Sequence, residues 1–159
     1  MNVAFKTLGC KLNYSETSSI SRDFENKGHK KVSFNHNADL YVINTCSVTQ
    51  NADKEFKYLV NKAKKQNPKS KIIAIGCYAQ LKPNEISKIE GVDLVLGADK
   101  KFDILNYIDV NDTYSCEINS VSKFELAFSL GDRTRSFLKV QDGCCLLYTS
   151  PSPRDRRLS

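Results

Sequence analysis

The sequence has no apolar run approaching the roughly 20 residues that a membrane-spanning helix requires. Its first ten residues, MNVAFKTLGC, lack the basic segment and long apolar stretch of a secretory signal. We therefore expect neither an integral membrane protein nor a secreted one, but a cytoplasmic protein whose thiols stay reduced. In that setting the six cysteines are better explained as metal ligands, catalytic groups or small buried residues than as a set of disulfides.

Phosphate-binding glycine loops are also missing, because the seven glycines form neither a G-x-G-x-x-G nor a Walker pattern. The sequence contains no internal repeat. The formal net charge is +6, of which residues 146–159, with three arginines and one aspartate, carry +2; the remaining +4 is mild. It is compatible with an RNA substrate, but a solvated lysine-rich surface accounts for it equally well.

The last 15 residues differ in composition from everything before them. Residues 145–159 hold three arginines, no lysine and two of the four prolines, whereas the rest of the chain is rich in lysine. We expect this segment to be a non-native tail joined to the protein. A natural disordered terminus has a similar composition and is the alternative.

Short apolar runs alternate with helical patterns over the first 108 residues. Phe56, Leu59, Val60 and Ala63 have the spacing of an amphipathic helix, which we place at residues 51–67. Further helices are expected from Asn13 as N-cap to Gly28, from Pro83 to near Gly91, and from Asp99 to about Ile108. Strands are expected at VAFKTL, KVSF, ADLYVINT, KIIAIG and VDLVLG.

Continuous apolar strands separated by helices indicate a parallel sheet with both faces covered. We predict an α/β fold, a small doubly wound parallel sheet of the Rossmann or flavodoxin type. This domain spans residues 1–109. Residues 110–132 form a linker or an edge hairpin, and RSFLKVQ begins a fresh strand.

Three cysteines each follow a predicted strand: Cys10, Cys46 and Cys77. Parallel strands place their carboxyl ends at one edge of the sheet, where open α/β sheets bind ligands, so the thiols are expected to converge. Gly9 and Gly76 allow close approach of the backbone to a bulky group. Three thiolates suit an iron–sulfur cluster with one open iron, or zinc with an open fourth position. Three unrelated buried cysteines are the remaining possibility.

Several longer motifs resemble a known family. TLGCKLNYSET, VINTCSVTQNADKE, GCYAQLKP and GVDLVLGADKK are similar, in this order, to the N-terminal domain of the radical-SAM methylthiotransferases. RTRSFLKVQDGC resembles the junction into the radical-SAM barrel of that family. The motifs look most like the branch that modifies threonylcarbamoyladenosine in tRNA. The branches acting on isopentenyladenosine and on a ribosomal-protein aspartate carry somewhat different residues around the same cysteines.

The resemblance implies cofactors and partners. Cys10, Cys46 and Cys77 correspond to the ligands of an auxiliary 4Fe-4S cluster, and Cys144 to the first ligand of a second 4Fe-4S cluster that binds S-adenosylmethionine. The implied reaction adds a methylthio group to carbon 2 of the modified adenine next to the anticodon, through a 5′-deoxyadenosyl radical. The implied partners are tRNA and a sulfur donor, and a C-terminal RNA-binding domain helps to hold the tRNA.

The resemblance ends near Cys144. The family signature CxxxCxxC requires cysteines at positions 148 and 151, where this sequence has Tyr148 and Pro151. We therefore expect residues 133–144 to be the start of a truncated radical-SAM domain, and the chain alone to be inactive in methylthiolation. Two other functions stay open: a stand-alone module that binds an iron–sulfur cluster or zinc, and a flavodoxin-like binding domain with incidental cysteines.

Overall fold

In the computed structural model, which describes residues 1–46, 50–109, 113–114, 125–130 and 136–140, six strands form one sheet with only parallel neighbours. The strands are β1 (Asn2–Thr7), β2 (Lys30–Val32), β3 (Leu40–Thr45), β4 (Lys71–Gly76), β5 (Leu94–Leu96) and β6 (Thr113–Tyr114). The helices are α1 (Lys11–Asn26), α2 (Gln50–Gln66), α3 (Cys77–Leu81) and α4 (Pro83–Ser87), with a 3₁₀ turn at Ile104–Asn106.

The order of the strands in the sheet is β2-β1-β3-β4-β5-β6. Its first five members have the flavodoxin-like doubly wound order, in which the chain reverses direction across the sheet between β1 and β3. All six residues of β3 are buried, as a central strand requires. The predicted fold class is therefore confirmed, and the reversal places the ends of β1 and β3 side by side.

Successive residues of each strand supply two separate cores. Tyr41 and Ile43 of β3 face one side, where Phe56 and Val60 of α2 pack among the buried residues. Leu40 and Val42 face the other side, with Ile20 and Phe24 of α1 in the second core. Each fully buried side chain of this size stabilises the fold by about 1.5–3 kcal/mol. These two layers fix α1 and α2 on opposite faces of the sheet.

The start of α1 differs from the prediction. The helix begins at Lys11 with Cys10 as the N-cap residue, whereas Asn13 was expected there. Asn13 lies inside the first turn, and its side-chain amide donates to the carbonyls of Leu8 and Thr45. A tertiary contact has thus overridden a local capping pattern, and the helix starts immediately after the first strand-end loop.

The helix predicted from Asp99 to Ile108 is also wrong. This segment forms turns and the single 3₁₀ turn, with Asp103 N–H donating to the carbonyl of Lys100 and Asn106 N–H to that of Asp103. Lys101 is buried against Glu16 at 2.7 Å, and this contact holds the turn in place of a continuous helix. The short helix α3 had no counterpart among the predictions, because five residues are too few to show a helical period.

Residues 125–130 and 136–140 pair antiparallel through one bridge between Phe128 and Leu138. Arg22 of α1 donates to the carbonyl of Phe128, so this pair of segments packs on that helix. Cys144, Tyr148, Pro151 and the tail 145–159 lie outside the described residues, as does most of the linker 110–132. The proposed boundaries at 109, 132 and 144 therefore stay predictions.

Candidate functional site

Three cysteines lie at the carboxyl edge of the sheet. Cys10 follows β1 at the N-terminus of α1, Cys46 directly follows β3, and Cys77 is the first residue of α3 after β4. All three are free thiols; Cys10 is exposed, and Cys46 and Cys77 are partly buried. Because β1, β3 and β4 are parallel neighbours in the sheet, their ends bring the three loops together. The sequence-based prediction placed these residues at the same strand ends.

Asn13, which is 1% exposed, lies between these loops. Its Nδ2 donates to the carbonyl oxygens of Leu8 at 3.0 Å and Thr45 at 3.2 Å. Its Oδ1 lies 3.8 Å from Cys10 Sγ and 4.0 Å from Cys77 Sγ, the distance of a weak thiol hydrogen bond. Two of the three sulfur atoms therefore face one oxygen atom.

Cys46 packs against Gly9 in the loop that carries Cys10. A Cβ added to Gly9 would lie 2.6 Å from Cys46 Cβ and 2.8 Å from its Sγ, closer than any side chain tolerates. The φ of Gly9 is +102°, a conformation that other residues rarely adopt. Glycine at this position therefore lets the first loop lie directly on Cys46 and completes the group of three thiols.

Buried polar side chains at the end of β3 hydrogen-bond to the loops that carry the cysteines. Asn44, fully buried in β3, donates through Nδ2 to the carbonyl of Asn13 and to Thr17 Oγ1. Thr45 Oγ1 donates to the carbonyl of Ile75 at 2.6 Å and accepts from the N–H of Ala79 at 3.2 Å. These bonds fix the first turns of α1 and α3, and so the positions from which Cys10 and Cys77 project.

Tyr78, next to Cys77, packs away from the thiols. Its ring makes an edge contact with Phe56, and its hydroxyl is 3.5 Å from Glu85. Burial raises the pKa of the Tyr78 hydroxyl, and the negative charges of Asp53 and Glu85 raise it further. Tyr78 therefore stays neutral and contributes to the core beneath the site.

The three thiols supply the ligand chemistry of a metal or cluster site. Within the described residues, no three His, Cys, Asp or Glu side chains are close enough to ligate one metal ion together. The three thiols lie at one edge of the sheet, where Gly9 lets the first loop pack against Cys46. Thiolates are the soft ligands that iron–sulfur clusters take, one thiolate to each iron. The thiol chemistry is compatible with an iron–sulfur cluster and with zinc.

Sequence reasoning named the three thiols but missed the residues that organise them. Asn13 was interpreted as a helix cap and Asn44 as part of an apolar strand. The signal that was available is the position of Asn13 three residues after Cys10, which places it in the first turn of the helix. Cys144, the fourth predicted ligand, is outside the described residues.

None of the described helices is long and apolar enough to cross a membrane. The fold and the site together define a doubly wound α/β domain with three thiols at its carboxyl edge. Residues 2–97 match the model of the family described as Uncharacterized protein family UPF0004. Since this match covers more than half of the chain, the protein belongs to that family.

The curated relatives agree with the resemblance noted from the motifs. The chain is 43% identical to the threonylcarbamoyladenosine tRNA methylthiotransferase of Bacillus subtilis, over 89% of this chain and 33% of the relative. It is 38% identical to the enzyme of the same name from Aquifex aeolicus, over 91% of this chain and 37% of the relative.

A tRNA-2-methylthio-N(6)-dimethylallyladenosine synthase from Endomicrobium trichonymphae is 31% identical over 100% of this chain and 38% of the relative. The chain therefore spans about a third of the length of the relatives it matches. The resemblance to the methylthiotransferases is confirmed.

Proposed function

We propose that the chain is the cysteine-bearing N-terminal part of a tRNA methylthiotransferase. The modified position would be carbon 2 of N6-threonylcarbamoyladenosine next to the anticodon. The observation that carries the proposal is the meeting of Cys10 and Cys77 at Asn13 Oδ1, with Cys46 packed on the same loop. The threonylcarbamoyladenosine branch is favoured because its Bacillus member is 43% identical, compared with 31% for the Endomicrobium synthase.

Cys10, Cys46 and Cys77 would hold an auxiliary 4Fe-4S cluster. Bound by three thiolates, such a cluster supplies a redox-active centre with one iron left open to sulfur. The chain itself supplies the placement of the thiols: Gly9 lets its loop pack against Cys46, and α1 and α3 fix Cys10 and Cys77. Cys10 is exposed, so the site faces solvent on that side, where a sulfur donor and tRNA can reach it.

The remaining chemistry is assigned to the part of the relatives that this chain does not span. An aromatic C–H bond is inert to acid–base chemistry, so the reaction needs a radical, and a cofactor must supply it. A second 4Fe-4S cluster with S-adenosylmethionine would serve there, with Cys144 as its first ligand. Because Tyr148 and Pro151 stand at the next two ligand positions, this chain alone does not complete that cluster.

Anaerobic reconstitution with iron and sulfide tests the metal centre. We expect about four irons and four sulfides per chain, with the broad visible absorbance of a cluster. Cys46→Ala should abolish this uptake, whereas Cys116→Ala, which removes a thiol far along the sequence from the three strand ends, should leave it intact. Tight zinc binding without sulfide would favour the zinc module, and binding of neither would overturn the metal centre.

A chimera tests the enzymatic part of the proposal. Residues 1–140 would replace the matching segment of the Bacillus relative, and tRNA nucleosides would be analysed by mass spectrometry. We expect methylthiolated threonylcarbamoyladenosine from the chimera, none from its Cys77→Ala variant, and none from the present chain alone. Product from the isolated chain would contradict the assignment of the radical chemistry to the part it does not span.

A further inference from the structure

The side chain of Asn13 has one possible orientation. An amide nitrogen has two donors, and both are used by carbonyl oxygens, of Leu8 at 3.0 Å and of Thr45 at 3.2 Å. Reversing the amide would place its oxygen against two carbonyl oxygens, which would repel it. The amide oxygen must therefore point to the remaining side, where Cys10 Sγ and Cys77 Sγ lie.

Asn13 consequently touches all three loops that carry the cysteines. Leu8 belongs to the loop of Cys10, Thr45 directly precedes Cys46, and Cys77 itself lies 4.0 Å from the amide oxygen. The backbone of Asn13 is held as well, because its carbonyl accepts from Asn44 Nδ2 at 3.0 Å and from Thr17 Oγ1 at 2.8 Å.

We propose that Asn13 is the positioning residue of the thiol site: it sets the spacing of Cys10, Cys46 and Cys77 and presents an uncharged acceptor to two of them. This inference rests on the proposed cluster function and extends it to a residue that is not a ligand. The free thiols can donate to this oxygen, but a cluster-bound thiolate has no proton to donate, so in that state the two bonds donated by Nδ2 hold the loops and the oxygen adds no formal charge beside the sulfurs. The side chain therefore acts by geometry and by being neutral.

Two substitutions separate these roles. Asn13→Ala removes both donors and leaves the buried carbonyls of Leu8 and Thr45 unpaired, which loosens the loops. Asn13→Asp keeps the size of the side chain but also loses both donors, and it adds a negative charge beside two thiolates. Asn67→Asp is the matched control, because Asn67 Nδ2 likewise donates to a backbone carbonyl, that of Ala38 at 2.9 Å, near the start of β3 and away from the thiols.

The first measurement uses the reconstituted chain. We expect both Asn13 variants to hold less iron and sulfide than the parent chain. In the fraction that loads, Asn13→Asp should shift the reduction potential of the cluster to more negative values and alter its electron paramagnetic resonance signal. Asn67→Asp should lower the melting temperature without changing iron content, potential or spectrum. If both Asn13 variants had the iron content, reduction potential and spectrum of the parent chain, the proposal would be overturned.

The second measurement needs no cluster. Alkylation of the metal-free chain by iodoacetamide, followed by peptide mass spectrometry, reports the accessibility of each thiol. In Asn13→Ala we expect Cys46 and Cys77 to react faster by about tenfold, since unpaired buried carbonyls favour opening of the loops. If the parent chain takes up no iron but this change occurs, the cluster assignment fails and the positioning role stands. Alkylation rates in Asn13→Ala equal to those in Asn67→Asp would refute the positioning role of Asn13.

Discussion

Lys139 Nζ lies 3.1 Å from Glu16 Oε1, and neither side chain is more than 1% exposed. Lys101 Nζ approaches the same oxygen at 2.7 Å. Both ammonium groups also lie near the ring of Phe102, at 5.3 and 5.6 Å from its centre. Glu16 is three residues beyond Asn13 in α1, so the helix that touches the thiols also anchors the segment 136–140 that leads toward Cys144.

Removing the carboxylate of this ionic group should be strongly destabilising. Glu16→Gln removes the buried carboxylate that both ammonium groups approach, and breaking such a buried pair costs about 3–5 kcal/mol. We expect a loss of this size in the free energy of unfolding, measured by urea denaturation. Faster hydrogen exchange at residues 136–140 should accompany it, because Lys139 loses its contact with Glu16.

An exposed ion pair provides the control for Glu16. Lys82 and Glu85 lie 3.1 Å apart, but their side chains are 54% and 57% exposed. Glu85→Gln should therefore change stability by only about 0–1 kcal/mol. An equal loss in both variants would show that burial is not what makes the Glu16 group important.

Gly76 is the last residue of β4 and directly precedes Cys77, and Gly76→Ala is expected to disrupt the site. Its Cβ would lie 2.2 Å from Asn44 Oδ1 and 2.5 Å from the carbonyl of Thr45, at a φ of +95°. The clash and the strained backbone together should cost about 3 kcal/mol or more. Gly28→Ala is a matched control, because Gly28 has a φ of +82° with nothing within 4 Å of its added Cβ. We expect it to lose only about 1–2 kcal/mol, and equal melting temperatures for the two variants would contradict the steric explanation.

The fold was largely predictable because its strands are continuous apolar runs and α2 has a regular apolar spacing. The placement of Cys10, Cys46 and Cys77 at one edge of the sheet followed from topology alone, since parallel strands end at one edge. Asn13 and the segment after Asp99 could not be predicted in the same way. Both are decided by partners far away in the sequence, Thr45 for Asn13 and Glu16 for Lys101, and a local pattern contains no information about such partners.

Tyr78 makes stability depend on alkaline pH. The pKa of its hydroxyl is raised in the folded chain by burial and by the charges of Asp53 and Glu85, while the unfolded value stays near 10. The folded state therefore binds the proton more tightly, and its stabilising effect is complete below pH ~10 and lost above it. We expect Tyr78→Phe to be close to the parent in stability at pH 7 and to lose less stability above pH ~10. Tyr58 is exposed, and Tyr58→Phe should therefore lose stability with rising pH as the parent chain does. If Tyr78→Phe also lost as much stability as the parent above pH ~10, the raised pKa of Tyr78 would be contradicted.

Thr45→Val tests whether the support of α3 controls Cys77 separately from Cys10. Valine keeps the shape of threonine but removes the bond to the carbonyl of Ile75 and leaves the N–H of Ala79 without its acceptor. Both groups are buried, so the loss in the free energy of unfolding should be about 1–3 kcal/mol.

The N–H of Ala79 lies in the first turn of α3, so the same variant should also affect Cys77. On the metal-free chain we expect alkylation of Cys77 to accelerate and alkylation of Cys10 to stay unchanged. Thr7→Val, which removes a bond to Thr17 Oγ1 at the other end of the site, is the control and should leave Cys77 unchanged. Equal acceleration of both thiols in Thr45→Val would mean that the three loops open as one unit.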